Sequence, residues 1–217
     1  MEHIGHISSD YKQRFAIPRQ PGLSASAVSK VYLDSKYSLD SVKGLDDFTH
    51  IWVVFHFHDT KGKGWKEVVR PPRLGGKIGR GVFATRSPFR PNSIGLSVVK
   101  LISFYKEEKT KRVVIEVAGG DFLDGTPVFD IKPYVPYADI VSEAKSAWAN
   151  TPDVVMPVEL FEDEVCTTLD VLAKESFEKE RKFIFENISL DPRPPHERNK
   201  DGKAGQSWGV KLGSFDV

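Results

Sequence analysis

A mainly β fold, a small mixed β-barrel followed by a small α+β appendage, is what this 217-residue sequence predicts. The first two thirds consist of short segments rich in β-branched and aromatic residues, separated by Gly, Pro and charged punctuation. Apolar residues at helical spacing begin only after about Asp139. With 40% hydrophobic residues the chain can bury a sizeable core. These observations divide it into residues 1–139, a barrel domain, and 140–217, a linker and a small C-terminal domain.

The strands follow in order. His3 to Ile7 opens the sheet, and the irregular stretch Ser9 to Ala27 follows it. Ile51 to Phe57 is next; because Ile51 to Phe55 is apolar at every position, it belongs in the middle of the sheet. Thr60 to Arg80 is a second long irregular segment, of a length that compact domains keep for function or leave disordered. Gly81 to Thr85, Ile94 to Phe104, Val113 to Val117 and Val128 to Ile131 complete the strands. Asp124-Gly125 predicts a tight turn, after which Val128, Asp130, Lys132 and Tyr134 share one strand face. Beyond the barrel, Ser142 to Asp153 reads as a linker or edge, and Glu162 to Ser176 as a helix through Val165, Leu169 and Leu172. A second helix, Phe177 to Ile188, aligns Phe177, Ile184 and Ile188; Asp191-Pro192-Arg193-Pro194-Pro195 and a strand-like Ser207 to Val217 end the chain.

Composition narrows the function classes. Cys166 is the only cysteine, so no intramolecular disulfide exists, and its acidic neighbours Asp163 and Glu164 do not favour a thiolate. The longest apolar run, Ile51 to Phe55, is too short to span a bilayer, and the N-terminus lacks a secretory signature; a soluble cytoplasmic protein is expected, with no membrane partner. Net charge is only +1, yet residues 61–90 carry nine Lys/Arg against Glu67 alone. Such a segment suits a nucleic acid or polyphosphate, or is a solvated loop.

The densest motif is Thr85-Arg86-Ser87-Pro88-Phe89-Arg90-Pro91-Asn92-Ser93-Ile94-Gly95. Each proline biases its predecessor towards extended backbone, which gives a stiff loop bearing two guanidinium groups, an anion clamp. Gly75-Gly76-Lys77-Ile78-Gly79-Arg80-Gly81 matches neither the dinucleotide fingerprint nor the P-loop. His56 and His58 have the spacing of a same-face pair, but no third Cys or His accompanies them, so no metal is expected. Asp130, Lys132 and Tyr134 read either as a surface stripe or, beside the clamp, as a charge-tuned site.

The segments PRQPG (18–22), GLDDFTHIWVVFHFH (44–58), RPPRLGG (70–76), GVFATRSPFRPNSIGLS (81–97), DGTPVFDIKPYVPYAD (124–139) and DPRP (191–194) resemble the TsaA-like, or TrmO, family. That resemblance implies an S-adenosylmethionine-dependent methyltransferase built on a small β-barrel, acting on N6-threonylcarbamoyladenosine at position 37 of tRNA, with the cofactor near a homodimer interface. It carries cofactor contacts over to Pro18, Arg19 and Gln20, to His58 and Asp59, to Arg90, and to Leu123, Asp124 and Gly125. A guanidinium suits the methionyl carboxylate, and a carboxylate suits amino or ribose hydroxyl groups. The chemistry is an in-line displacement by a weakly nucleophilic carbamoylated N6, which a proton acceptor or a charge near the carbonyl oxygen would assist. Asp130 as acceptor and Lys132 as stabiliser, with Tyr134 beside them, are the catalytic candidates; a pair that merely positions the strand is the other reading. A non-catalytic module that binds S-adenosylmethionine or RNA is the alternative function.

Overall fold

The computed structural model describes residues 1–60, 62–149, 155–158, 174–193, 208–213 and 215–216. Six strands, β1 (Gly5–Ser9), β2 (Val28–Leu33), β3 (His50–His56), β6 (Ile94–Lys106), β7 (Val113–Ala118) and β8 (Pro127–Pro133), close a barrel in the order β1-β2-β7-β6-β3-β8. Every pairing is antiparallel. The short strands β4 (Val68–Val69) and β5 (Arg80–Gly81) pair separately within the long connection from β3 to β6.

Alternation fills the interior. Val53 and Phe55 of β3 point inward opposite Ser97 and Gly95 of β6, and Val31, Ile115 and Val117 line the far wall. Phe55 packs edge-on against both Phe57 and Phe122, with ring centroids 5.1 Å apart in each case. Gly95 is required by this packing, because a Cβ there would fall on the Phe55 ring.

Several expectations are corrected. No strand is expected over residues 28–33, yet β2 forms there, and Val28-Ser29-Lys30-Val31-Tyr32-Leu33 alternates cleanly with Ser29, Val31 and Leu33 buried. Gly81 to Thr85 is not a strand: after Gly81, Val82–Ala84 turn as a 3-10 helix closed by Thr85 N–H on Val82 O at 3.1 Å. β3 does lie in the middle of the sheet, between β6 and β8, but it is buried on one face only; Trp52 and Val54 are half-buried on the outer wall, because a barrel strand has one inside and one outside. In β8 a bulge at Phe129 breaks the expected shared face, for Phe55 pairs with Val128 while the adjacent Val54 pairs with Asp130. Val128 therefore points into the core and Asp130 outward. His58 lies past the end of β3 in a 3-10 turn, so it shares no strand face with His56, which packs on Phe129 at 5.6 Å.

Beyond β8 come α1 (Pro136–Asp139), α2 (Lys174–Ser189) and a hairpin of β9 (Lys211–Leu212) and β10 (Phe215–Asp216). α2 contains the second expected helix. The first, Glu162 to Ser176, lies outside the described residues except for its last three, which begin α2; Cys166, Pro194 and Pro195 also lie outside them. A second core joins Phe183 and Ile184 of α2 and Val210 and Leu212 to Tyr11, Ala16 and Ala27 of the β1–β2 connection. Among the described residues no helix is long and apolar enough to cross a membrane.

Gly95→Ala should cost about 1–3 kcal/mol by overpacking against Phe55. Chemical denaturation checks this, with the midpoint falling and the slope unchanged.

Candidate active site at the barrel mouth

Antiparallel order sends the β1–β2, β3–β6 and β7–β8 connections to the same end of the barrel. The expected cofactor residues, at 18–20, 58–59, 90 and 123–125, all sit on these three loops. Backbone hydrogen bonds bind the loops together. Gly22 N–H donates to Gly119 O at 2.8 Å and Asp124 N–H to Tyr11 O at 2.9 Å, joining the β1–β2 and β7–β8 connections, while Phe57 N–H to Ser93 O at 2.8 Å closes the base of the β3–β6 connection. The Asp124-Gly125 turn forms as expected: Thr126 N–H closes it on Leu123 O, and Gly125 takes φ +75°, a conformation natural to glycine.

Side chains complete the cluster. Arg86 Nη1 donates to Gln20 Oε1, joining the signature loop to Pro18-Arg19-Gln20. Ser9 N–H donates to Asp124 Oδ1 at 2.9 Å and Lys12 Nζ lies 2.9 Å from Oδ2. Burial pushes the Asp124 carboxyl upward, but these partners outweigh it and hold the group below its ordinary range. His58 Nδ1 lies 3.5 Å from Thr126 Oγ1, next to the turn. Asp59 pairs with Arg14 and, at 3.9 Å, with Lys63. Both cations meet the same oxygen, Oδ2, a buried atom.

The two arginines of the signature loop separate. Arg90 Nη1 donates to Thr85 O at 2.7 Å and Val82 O at 3.2 Å, and its guanidinium lies over the Phe83 ring. That arrangement holds the loop's own backbone. Arg86 is exposed and reaches outward to the neighbouring loop.

Asp121 is the acid that sequence reasoning missed. It follows Gly119-Gly120, and Ser97 Oγ from inside the barrel donates to its Oδ1 at 2.6 Å. Part of its surface remains accessible, yet burial pushes the carboxyl up to about 6, against the opposing effects of Ser97, its own backbone amide and Arg86. Asp121 is thus deeply surrounded by protein and still open to solvent on part of its surface. Its signal was weak in the sequence, where an Asp after two glycines is ordinary turn chemistry.

Asp130, Lys132 and Tyr134 lie elsewhere. Asp130 and Lys132 stand on the outer wall, 3.5 Å apart and more than half exposed, with Asp130 Oδ1 accepting from Ile131 N–H. They neighbour Val54 and Trp52 across the strand pair. Tyr134 sits at the opposite end of β8, 5.8 Å from the Trp52 ring. Among the described residues no group of three His, Cys, Asp or Glu side chains could hold a metal.

The mouth therefore offers a cation for a carboxylate, acids for cationic or hydroxyl groups, and an amide, a donor set that fits S-adenosylmethionine. Residues 6–140 match the family described as the tRNA-methyltransferase O N-terminal domain. The whole chain is 42% identical to a tRNA (adenine(37)-N6)-methyltransferase of Escherichia coli K12 and covers 90% of it. It is 37% identical, over 99% of its length and 89% of the relative, to a putative S-adenosylmethionine-dependent methyltransferase RcsF of Pseudomonas aeruginosa PAO1. A crystal structure of TrmO from Pseudomonas aeruginosa superposes with a TM-score of 0.72 at 32% identity, covering 99% of this chain and 89% of that one.

Asp121 also affects stability. Its folded pKa is raised, so the folded state holds the proton more tightly than the unfolded chain, and stability falls as pH rises from about 4 to about 6. Asp121→Asn keeps an acceptor for Ser97 and removes the charge. Its melting temperature should exceed that of the native protein at pH 7.5, and the gain should vanish at pH 4, as scanning calorimetry would show.

Proposed function

The chain belongs to the tRNA-methyltransferase O family, and on that premise we propose that it is an S-adenosylmethionine-dependent tRNA (adenine-N6)-methyltransferase acting at position 37, on N6-threonylcarbamoyladenosine. The gathering at one barrel mouth of the three loops that hold the expected cofactor residues carries this reading, since these loops are far apart in sequence. When bound, the cofactor supplies a methyl group on a cationic sulfur. The protein's part is to hold it and to align N6 behind the methyl.

In this reading the Pro18-Arg19-Gln20 loop, His58-Asp59 and the Leu123-Asp124-Gly125 turn surround the cofactor. Arg86 meets the methionyl carboxylate, and Arg90 keeps the loop in shape. The basic β3–β6 connection faces the tRNA phosphates. Its Lys63 and Lys66 are at the mouth, Lys63 near Asp59 and Lys66 over the Phe89 ring at 4.9 Å; Lys61 lies outside the described residues.

A homodimer belongs to the same proposal. The outer wall presents Leu96, 53% exposed, next to Val54, with Val98 next to Trp52 in the adjoining row. An apolar stripe of this kind is the usual mark of a partner surface. Asp130 and Lys132 border it, so in a dimer they would stand at the interface, able to act from one protomer towards its partner's mouth.

Nucleoside mass analysis after incubation with the cofactor and tRNA carrying N6-threonylcarbamoyladenosine tests the activity; one added methyl on that nucleoside is expected, and cofactor binding without transfer would favour the non-catalytic alternative. Arg86→Ala should weaken cofactor binding by about 1.5–3 kcal/mol, the range for hydrogen bonds to charged groups. Calorimetric titration of a folded variant reads this, and unchanged affinity would release Arg86 from the role. Light scattering should give twice the chain mass, and Leu96→Glu should return the monomer.

A further inference from the structure

Methyl transfer to a carbamoylated adenosine nitrogen needs somewhere for the N6 proton to go. Asp130 meets that need poorly. It is half exposed on the outer wall, one oxygen holds Ile131 N–H, and the other faces Lys132. Asp121 is placed differently. It stands on the β7–β8 loop at the mouth, above the fully buried Phe122, with one carboxylate oxygen fixed by the buried Ser97 hydroxyl. The loops that carry the cofactor motifs surround it. Gly119, two residues before it, accepts from Gly22 just past Pro18-Arg19-Gln20, and the charge of Arg86 in the signature loop acts on it. The other titratable group facing it is Tyr11, whose hydroxyl donates to Asn187 Oδ1 at 2.8 Å and whose pKa burial raises.

We propose that Asp121 is the catalytic residue that accepts the N6 proton, with Ser97 as its positioning residue. The inference rests on the methyltransferase reading above. As N6 bonds to the methyl carbon, the carbon–sulfur bond breaks with its electron pair staying on sulfur, and the N6 proton passes to the Asp121 carboxylate. Sulfur loses its positive charge, the carboxylate loses its negative charge, and the reaction balances without any further reactant. Two features suit the task. A carboxyl titrating near 6 is ionised at neutral pH yet more basic than an ordinary aspartate. Its fixed oxygen leaves little freedom to lose when the substrate arrives.

The test measures single-turnover methylation of tRNA carrying N6-threonylcarbamoyladenosine across pH 5–9, with S-adenosylmethionine affinity measured separately by calorimetry. In the native protein the rate should fall on the acid side with an apparent pKa near 6. Asp121→Asn should lower the rate at pH 7.5 by about a hundred-fold or more and abolish that limb, while cofactor affinity stays within about three-fold. Ser97→Ala removes a donor that favours the ionised acid, so the limb should move to higher pH. This second variant tests the role even if the first folds poorly. Three results would overturn the proposal: a full rate in Asp121→Asn, a rate restored by saturating cofactor, which would make Asp121 a cofactor ligand, or an acid limb unmoved in Ser97→Ala. A native protein that binds cofactor and transfers no methyl group overturns the methyltransferase reading itself, and this assignment with it.

Discussion

Closure of the barrel is the constraint on which the rest depends. β1 meets β8 through only two residue pairs, Gly5 with Val128 and His6 with Pro127, and two further backbone bonds, Ile4 N–H to Val128 O and Ile7 N–H to Thr126 O, extend that seam. Gly5 is indispensable to it, because any Cβ there would collide with the Tyr32 carbonyl of β2. Once closed, an antiparallel barrel of six strands must alternate its connections between two ends. Three loops then share one mouth whatever their sequences say. The site is thus a topological consequence before it is a chemical one.

Chemistry at that mouth is arranged at a cost in stability. The interior below it is apolar, with Phe55, Phe57 and Phe122 packed edge to face, and the Ser97–Asp121 pair is the polar step between that core and the loops. A carboxylate kept in such surroundings is harder to ionise. On the outer face of β7 the pairing is different. Lys30, Tyr105 and Ser103 converge on Glu116; burial pushes its carboxyl up, but the donors prevail and keep it below its ordinary range. Both acids bond a serine hydroxyl. What separates them is burial, far deeper at Asp121, together with the Lys30 ion pair that neutralises Glu116.

The C-terminal helix contributes from outside the barrel. Glu186 Oε2 accepts from Ser24 Oγ, Ser26 N–H and Ser26 Oγ, and Asn187, 2% exposed, links Tyr11 Oη to Ser24 Oγ. Both ends of the β1–β2 connection are thereby fastened to one helix turn. Between them, Phe15 to Arg19 and Leu23 line a small cavity with Asn187, Leu190, Asp191 and Pro192. The Pro-Arg-Gln loop is irregular and lacks strand partners for most of its length, so this attachment is what gives it a defined course. Asp191 and Arg193 of the Asp-Pro-Arg motif pair within that cap, at 2.7 and 3.0 Å.

Local alternation, turn chemistry and motif order were legible in the sequence. Strands β3, β6, β7 and β8, the Asp124-Gly125 turn, helix α2 and the family resemblance all depend on neighbours within a few residues, and a sequence displays those directly. β2 was equally legible in its Ser29-Val31-Leu33 period but lies after a long irregular stretch that masked it. What only the tertiary structure decided depends on contacts between distant residues. One extra residue at Phe129 turns Asp130 outward, a bulge visible only against Val54 and Phe55. Arg86 and Arg90 look equivalent in Arg-Ser-Pro-Phe-Arg, and differ because one meets Gln20 and the other its own loop's carbonyls. Asp121 acquires its high pKa from burial near Ser97, twenty-four positions earlier in the chain. Burial and charge fields are sums over three-dimensional neighbours, and a one-dimensional pattern does not contain them.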